Sequence, residues 1–346
     1  MFKLLSIPLI ALTLFSCKDN KTKQLETKLR WREEELSAKQ AEFVKQEEAT
    51  RKIQLKSEAL LIEYQSKLAE LNKTQKRLDE ELKRTLETRK IVEIKELRGP
   101  LPTSYAQHIL VINPENDEVI YEKNANQPCA IASTTKLLTA LLIVEAGNLD
   151  QRITLNADDL NCSPNKIGFK ENETYSRHEL LHALLIKSSN ESAHALARDH
   201  SGSISAFVEK MNARATELHC TNALFVNPHG LTTKKSEPQA RCSAHDLYRI
   251  AKTCDQNSTI RDIVKLQQYT LTRSNNKKLE LINTNRVLKS LNDCDGMKTG
   301  FTDQAGYCLI ATGQRQNRRR IVIILNDTEN NIWRDSEQFL SWALKA

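Results

Sequence analysis

The chain has 346 residues, 39% of them hydrophobic and only 5% aromatic. That is lean for a chain folded throughout around packed cores, so part of it is expected to lie outside any core. The formal charge of +7 suits an anionic surface such as a phospholipid leaflet or a wall polymer; it is too mild for nucleic acid, and no basic stripe interleaved with aromatics accompanies it.

The amino terminus reads as an export signal: Lys3 supplies positive charge, and Leu4 to Leu14 is an apolar run too short to span a bilayer as an ordinary anchor. It ends at Leu14-Phe15-Ser16-Cys17, and a small residue followed directly by cysteine resembles the lipobox of bacterial lipoproteins. Residues 1–17 are therefore expected to form a signal peptide with Cys17 as the lipidated residue, holding the protein on a membrane facing the periplasm or cell exterior. A plain cleaved signal with an incidental Cys17 is the alternative, and either way the mature protein works outside the cytoplasm. Beyond Cys17 come Cys129, Cys162, Cys220, Cys242, Cys254, Cys294 and Cys308. In an oxidising compartment some would pair, the odd count leaving at least one over, while buried free thiols are the alternative. No CxxC pair and no Cys/His cluster with ligand spacing is present, so neither a metal nor a cofactor is expected.

From about Lys21 to Lys95 there is no proline and no glycine, and Glu, Lys, Gln, Arg, Leu and Ala dominate. This is the composition of a long exposed helix. Leu61, Tyr64, Leu68, Leu71, Gln75, Leu78 and Leu82 alternate steps of three and four, the a/d rhythm of a coiled coil, with Leu29, Leu36 and Phe43 marking a less regular seam before them. Residues 18–98 are expected to form a stalk on the order of 100 Å long, paired with a second copy or with another chain, a homodimer being one such arrangement. A solvated charged helix or a disordered spacer is the alternative.

Gly99-Pro100-Leu101-Pro102 ends that pattern, and residues 99–346 suffice for one mixed domain. Ile109 to Ile112 and Glu118 to Tyr121 read as a hairpin. Helices are expected at Thr135 to Glu145, Arg177 to Ile186 behind a capping box of Ser176 and Glu179, Glu191 to His200, Ile204 to Leu218, and from Ser243, with Asp246, to about Lys252. Strands near Ala305 to Thr312 and Ile321 to Leu325 precede a closing helix from about Ile332 to Leu344. Strands at both ends suggest one sheet made by the two ends of the domain, with a helical region inserted.

Three short strings carry chemistry. Ser133-Thr134-Thr135-Lys136 lies where a loop enters an apolar helix, which sets serine and lysine one turn apart on one face, so the amine can serve as base to the hydroxyl. Ser188-Ser189-Asn190 falls between two helical patterns, where a hydroxyl and an amide can relay a proton and hold a peptide backbone. Lys298-Thr299-Gly300 falls directly before an expected strand, where cation and hydroxyl can clamp a carboxylate and glycine lets a substrate backbone approach. Each string alone is common; a helix-start serine, an interhelical turn and an ordinary turn would account for them separately.

Together they resemble the active-site set of penicillin-binding proteins and serine β-lactamases, and most closely that of the D-alanyl-D-alanine carboxypeptidase family. The stretches Ala132 to Ala140, Asn227-Pro228-His229-Gly230-Leu231, Asn283-Thr284-Asn285 and Gly296 to Thr302, continuing into Ala305-Gly306-Tyr307, extend the likeness over residues 101–346. The resemblance implies an α/β, transpeptidase-like fold: an antiparallel sheet flanked by helices with an inserted helical region, here behind a helical extension. It implies Ser133 as acylated nucleophile, Lys136 as general base, Ser188 as proton carrier to the leaving D-alanine, and Asn190 as the group orienting substrate and Lys136. Lys298 and Thr299 of the Lys298-Thr299-Gly300 string would hold the substrate carboxylate, with the backbone N–H groups of Ser133 and Phe301 as oxyanion hole. The implied partners are peptidoglycan stem peptides ending in D-Ala-D-Ala and β-lactams as covalent inhibitors. Two near cations, Lys136 and Lys298, in a partly dry cleft would disfavour each other's charge and free the amine to act as base.

The chain departs from the family at Ser189, where these carboxypeptidases usually have glycine and where a side chain could tighten the cleft, and at Ile131, where a proline is usual. His229 is read as part of a turn rather than as catalytic. A β-lactamase would need a loop glutamate to position water, yet between Asn212 and Ser236 the only glutamate is Glu217. A D,D-endopeptidase shares every named residue, and a non-catalytic coiled-coil tether that binds wall peptides is the reading from another class.

Overall fold

The computed structural model describes residues 20–162, 166–231, 239–273 and 275–345. The signal sequence and Cys17 lie outside the described residues. The chain divides into two compact units, one up to Thr88 and one from Arg89 to Ala346.

Helix α1 (Asn20–Arg98) is continuous over 79 residues. Straight-chain residues lose little rotamer freedom in a helix, and nothing in this stretch removes a backbone donor. Thr27, Thr50, Thr74, Thr85 and Thr88 each donate the hydroxyl to the carbonyl four residues back, as where Thr50 Oγ1 meets the Gln46 carbonyl at 2.8 Å, so these polar groups are satisfied within the helix. Ion pairs one turn apart, Glu35–Lys39 at 2.8 Å and Glu63–Lys67 at 2.7 Å, add local support. The heptad residues Leu61, Tyr64, Leu68, Leu71, Leu78 and Leu82 are all exposed. Among the described residues no helix is long and apolar enough to cross a membrane.

In the second unit Gly99, at φ +79, stops the helix in a conformation a side chain would resist. Strands β1 (His108–Asn113) and β2 (Glu118–Lys123) form the expected hairpin. The short β3 (Cys129–Ala130) leads through a 3₁₀ turn, Ala132–Thr135, into α2 (Lys136–Ala146). Next come β4 (Arg152–Thr154), α3 (Ala157–Leu160) and β5 (Thr174–Ser176), then α4 (Arg177–Ile186), α5 (Asn190–Ser201) and α6 (Ile204–Glu217). The capping box at the start of α4 is present, Glu179 N donating to Ser176 Oγ and Ser176 N to the Glu179 carboxylate. After β6 (Arg241–Cys242) comes α7 (Ala244–Gln256), capped by Ser243 and Asp246 and one turn longer than its hydrophobic pattern indicated. Helix α8 (Ser258–Val264), the hairpin β7 (Gln268–Thr272) and β8 (Lys278–Ile282), and α9 (Val287–Ser290) lead to β9 (Cys294–Thr302), β10 (Gly306–Arg315), β11 (Arg318–Asp327) and the closing α10 (Ile332–Ala343).

The main sheet is antiparallel in the order β2-β1-β11-β10-β9, so both ends of the domain build it, as expected. Central β11 is buried on both faces: Ile321, Ile323 and Leu325 enter the core shared with α2, α4, α5 and α7, while Val322 and Ile324 pack with Phe339, Leu340 and Trp342 of α10. A strand covered on both sides needs an unbroken apolar run, which is what Ile321 to Leu325 is.

Lys298-Thr299-Gly300 does not precede a strand; it lies inside the edge strand β9. Asp295 and Gly296 have low strand propensity, and pairing with β10 overrides that local preference. The seven cysteines from Cys129 onward carry free thiols. Cys129 faces Cys242 across β3 and β6, and burial pushes the Cys129 thiol up to about 11.

Candidate active site

Ser133 sits in the 3₁₀ turn and Lys136 opens α2, so the three-residue spacing brings Lys136 Nζ within 2.7 Å of Ser133 Oγ. The approach to the turn is strained: Ala132 has φ +47, a region L-residues enter at a cost of roughly 1 kcal/mol or more. The surroundings hold it there. Lys136 Nζ donates to the His229 carbonyl at 3.0 Å, and Thr139 Oγ1 of the next turn donates to the Pro228 carbonyl at 2.6 Å. Gly230, at φ +80, lies so close to this turn that a Cβ would stand 1.9 Å from the Ala132 carbonyl oxygen. The segment Asn227 to Leu231 is therefore a strut against the Ser133 turn, closed by Asn227, which accepts from Gly230 N at 2.7 Å and donates to the Leu231 carbonyl at 2.7 Å.

His229 belongs to that strut. Its Nδ1 accepts from Leu231 N at 3.1 Å, which puts the ring proton on Nε2, and the ring stacks on His194. Burial, then Lys136 and His194, push its pKa well below the usual histidine range. Its contribution to the site is the backbone carbonyl that receives Lys136, and no sequence string announces a carbonyl.

Ser188 lies in the turn between α4 and α5 at φ +62. Ser189, where the family has glycine, does not narrow the cleft: it is fully buried, has φ −61, and its hydroxyl caps α5 by accepting from Ser192 N at 3.1 Å. Glycine is not required there, because the left-handed residue is Ser188. Asn190 is fully buried as the first residue of α5, and the hydrogen bonds of the Lys136 amine go to Ser133 and His229 rather than to it.

Lys298 reaches across from β9, its Nζ donating to Ser188 Oγ at 3.0 Å and to the Thr299 carbonyl at 2.9 Å. Exposure of Lys136 is 0% and of Lys298 1%, which decides their chemistry: an ammonium stripped of water is disfavoured. Burial pushes Lys298 down to about 7. Burial also drives Lys136 well below the usual lysine range, with repulsion from Lys298 adding to it. The expected cation pair is thus present, but desolvation is the larger cause.

Thr299 Oγ1 lies 2.7 Å from Thr284 Oγ1. The flanking asparagines pin that segment, Asn283 Nδ2 donating to the Leu266 carbonyl at 2.8 Å and Asn285 Nδ2 to the Gly296 carbonyl at 2.9 Å. At Gly300 a Cβ would meet Ile131 O at 3.0 Å and Ser133 N at 3.1 Å. The close approach that needs glycine is therefore made by the chain's own turn at Ile131 to Ser133. Ser133, Ser188, Thr299, Gly300 and half-exposed Phe301 line one cleft of about 840 Å³. Lys136, Asn190 and Lys298 are buried behind its wall. Among the described residues no His/Cys/Asp/Glu group could hold a metal.

A hydroxyl beside an amine kept from protonation, with a second hydroxyl and a second lysine across a cleft, is equipped for acyl transfer through a serine ester. Similarity points the same way. A D-alanyl-D-alanine carboxypeptidase, DacF, of Bacillus subtilis is 34% identical over 224 residues, covering 63% of this chain and 57% of the relative. A D-alanyl-D-alanine endopeptidase of Escherichia coli is 28% identical over 224 residues, covering 63% and 70%. The crystal structure of a D-alanyl-D-alanine carboxypeptidase from Mycobacterium tuberculosis superposes with a TM-score of 0.67 at 25% identity, covering 71% of this chain and 94% of that one. The peptidase S11 family model, described as D-alanyl-D-alanine carboxypeptidase, matches residues 95–329, so this chain belongs to that family.

Proposed function

We propose that the protein is an exported serine D-Ala-D-Ala carboxypeptidase that removes the terminal D-alanine from peptidoglycan pentapeptides and is acylated by β-lactams. The observation that carries this reading is the 2.7 Å contact between Ser133 Oγ and the amine of a lysine with no access to water. A neutral amine has one lone pair. With an N–H committed to the His229 carbonyl, that lone pair is free to take the Ser133 proton.

Ser133 Oγ then attacks the carbonyl of the penultimate D-alanine, and the resulting oxyanion is met by the N–H groups of Ser133 and Phe301. Donors of this kind contribute on the order of 3 kcal/mol each. The C–N bond breaks as the proton taken up by Lys136 is returned through the Ser188 hydroxyl, itself held by a hydrogen bond from Lys298, to the departing amine, which leaves Lys136 neutral again. Water, deprotonated by Lys136, cleaves the ester and regenerates the serine. Thr299 and Lys298 form the inner end of a clamp for the carboxylate of the leaving residue, while Asn190 stands behind the cleft wall rather than against the peptide.

A fluorescent penicillin tests this directly: the purified protein is expected to be labelled covalently and Ser133→Ala to be unlabelled. Equal labelling of the two would remove Ser133 as nucleophile. A second reading, a D,D-endopeptidase acting on crosslinks, is supported by relatives that carry that name. Digests of a pentapeptide and of a crosslinked dimer peptide separate the two by which substrate yields product.

The stalk reading is that Cys17 carries lipid and that the exposed heptad leucines of α1 pair with a second copy, setting the enzyme at a distance from its membrane. Sedimentation of the full chain is expected to give a dimer, and globomycin treatment of producing cells to block its maturation. A monomer at micromolar concentration, or unchanged processing, would count against pairing or lipidation respectively.

A further inference from the structure

The seven described cysteines divide by what their thiols touch. Cys162, Cys220, Cys254, Cys294 and Cys308 each donate to a backbone carbonyl, their Sγ atoms lying 3.3 to 3.6 Å from the oxygens of Asp159, Asp246, Leu137, Gly296 and Ala305. Cys129 and Cys242 have no such partner among the described residues. A thiol is a weak donor, so the missing bond costs little. It does leave two sulfurs unengaged, and they are the two that stand opposite each other.

Strands β3 and β6 run antiparallel with Cys129 directly across from Cys242. Arg241 exchanges both of its backbone hydrogen bonds with Leu224 on the far side, at 2.8 and 2.9 Å, so the backbone of the adjoining Cys242 turns towards β3. In such a hydrogen-bonded pair the Cα atoms stand about 5.5 Å apart with both side chains on one face, and disulfides most often span about 5.5 to 6 Å. A bridge here needs side chains to rotate rather than strands to move. Among the described residues no other two cysteines are cross-strand partners.

Resting on the reading that the chain is exported, we infer that Cys129 and Cys242 are joined by a disulfide in the mature protein, fastening the strand that enters the Ser133 turn to the strand that leads into α7. The oxidant is a disulfide-bearing protein or small molecule of the receiving compartment. The Cys129 thiolate attacks that disulfide, forming a mixed disulfide and releasing one donor thiol; the Cys242 thiolate then attacks the Cys129 sulfur, closing the internal bond and releasing the second. The protein gives up two protons and two electrons, and both end on the donor thiols. Exchange begins at Cys129, which is half-buried where the other six are buried. Burial raises both thiols, with Arg241 partly offsetting this at Cys129, so exchange is slow at neutral pH and quickens as pH rises. The loop closed is long, which is the case in which a crosslink restrains the unfolded chain most.

The test takes the full chain in two preparations: recovered from the envelope of producing cells with maleimide present throughout, and purified in reduced form, then incubated with oxidised glutathione at mildly alkaline pH before the same alkylation. Peptide mapping without reductant is expected to show the Cys129 peptide joined to the Cys242 peptide, with maleimide on the other five thiols. Cys129→Ser and Cys242→Ala should each remove the link. Reductant is expected to lower the melting midpoint of the oxidised wild type by about 5 to 15 °C and to leave that of Cys129→Ser in place. Neither sulfur lines the cleft, so labelling by a fluorescent penicillin should persist in every sample and shows that each is folded. No linked peptide in either preparation, a bond from Cys129 to a different cysteine, or a wild-type midpoint that reductant does not move would overturn the inference. A link formed with glutathione but missing from the envelope preparation upholds the pair and counts against export instead.

Discussion

Lys67 and Lys136 carry the same side chain in two units of one chain and meet opposite surroundings. In α1 the Lys67 side chain is 70% exposed and pairs with Glu63 one turn away; at the head of α2, Lys136 is wholly buried and faces a hydroxyl and a carbonyl. Water screens the first pair, so its contribution to stability is a few tenths of a kcal/mol. The second lysine keeps no water, so its ordinary charge is the state the fold disfavours. A long helix built from exposed pairs can be altered at many positions with little effect, whereas the buried amine is useful because its environment is costly. The two units therefore hold charge differently: one keeps it paired in water, the other disfavours it by burial.

The largest contrast is expected at the base. Lys136→Met should lower the rate of penicillin acylation by about 10²- to 10⁴-fold, read from labelling time courses, while Lys67→Met leaves it unchanged. Comparable loss from both substitutions would break the comparison.

Gly230→Ala sharpens it from the packing side. The new Cβ would meet the Ala132 carbonyl and adopt a disfavoured φ, so a loss of about 3 kcal/mol or more in urea unfolding is expected, with slower acylation as the His229 carbonyl shifts. A loss below about 1 kcal/mol would show that the strut yields easily.

The pH dependence of stability gives a third measure. Lys298 is held at about 7 in the folded protein against about 10.4 unfolded. Above the unfolded value both states are neutral and burial carries no penalty. As pH falls from there towards 7, the unfolded chain takes up a proton that the folded chain refuses, so stability declines and then levels off below 7. Between pH 7 and 8.5 this residue alone should make stability rise by about 1 kcal/mol per pH unit, read as the difference between wild type and Lys298→Met so that the unfolded thiols, which ionise with a pKa of about 8.5, cancel. Lys298→Met should remove that slope and be the more stable protein at pH 7, though inactive. Parallel pH profiles for the two would refute the assignment. Smallest of all, Glu63→Ala in α1 should change the thermal unfolding of the helix by no more than about 0.5 kcal/mol.

Much of this was legible from the chain itself, because its signals are local. Absence of glycine and proline with a leucine rhythm marks α1, a Ser/Glu pair three residues apart marks the start of α4, and the short, largely β-branched run Ile321 to Leu325 marks a strand. The three strings likewise name the residues that meet in the cleft, since residue type and spacing alone put Ser133 and Lys136 on one turn. Tertiary structure alone decided the rest. That Lys298-Thr299-Gly300 is strand rather than turn depends on β10 beside it. That Gly300 and Gly230 both clear the turn at Ile131 to Ser133 depends on segments far apart in the chain. The His229 carbonyl and the burial that lowers the pKa values of the two lysines are properties of neighbours in space, and a linear pattern carries no term for what surrounds a residue once the chain has closed on itself.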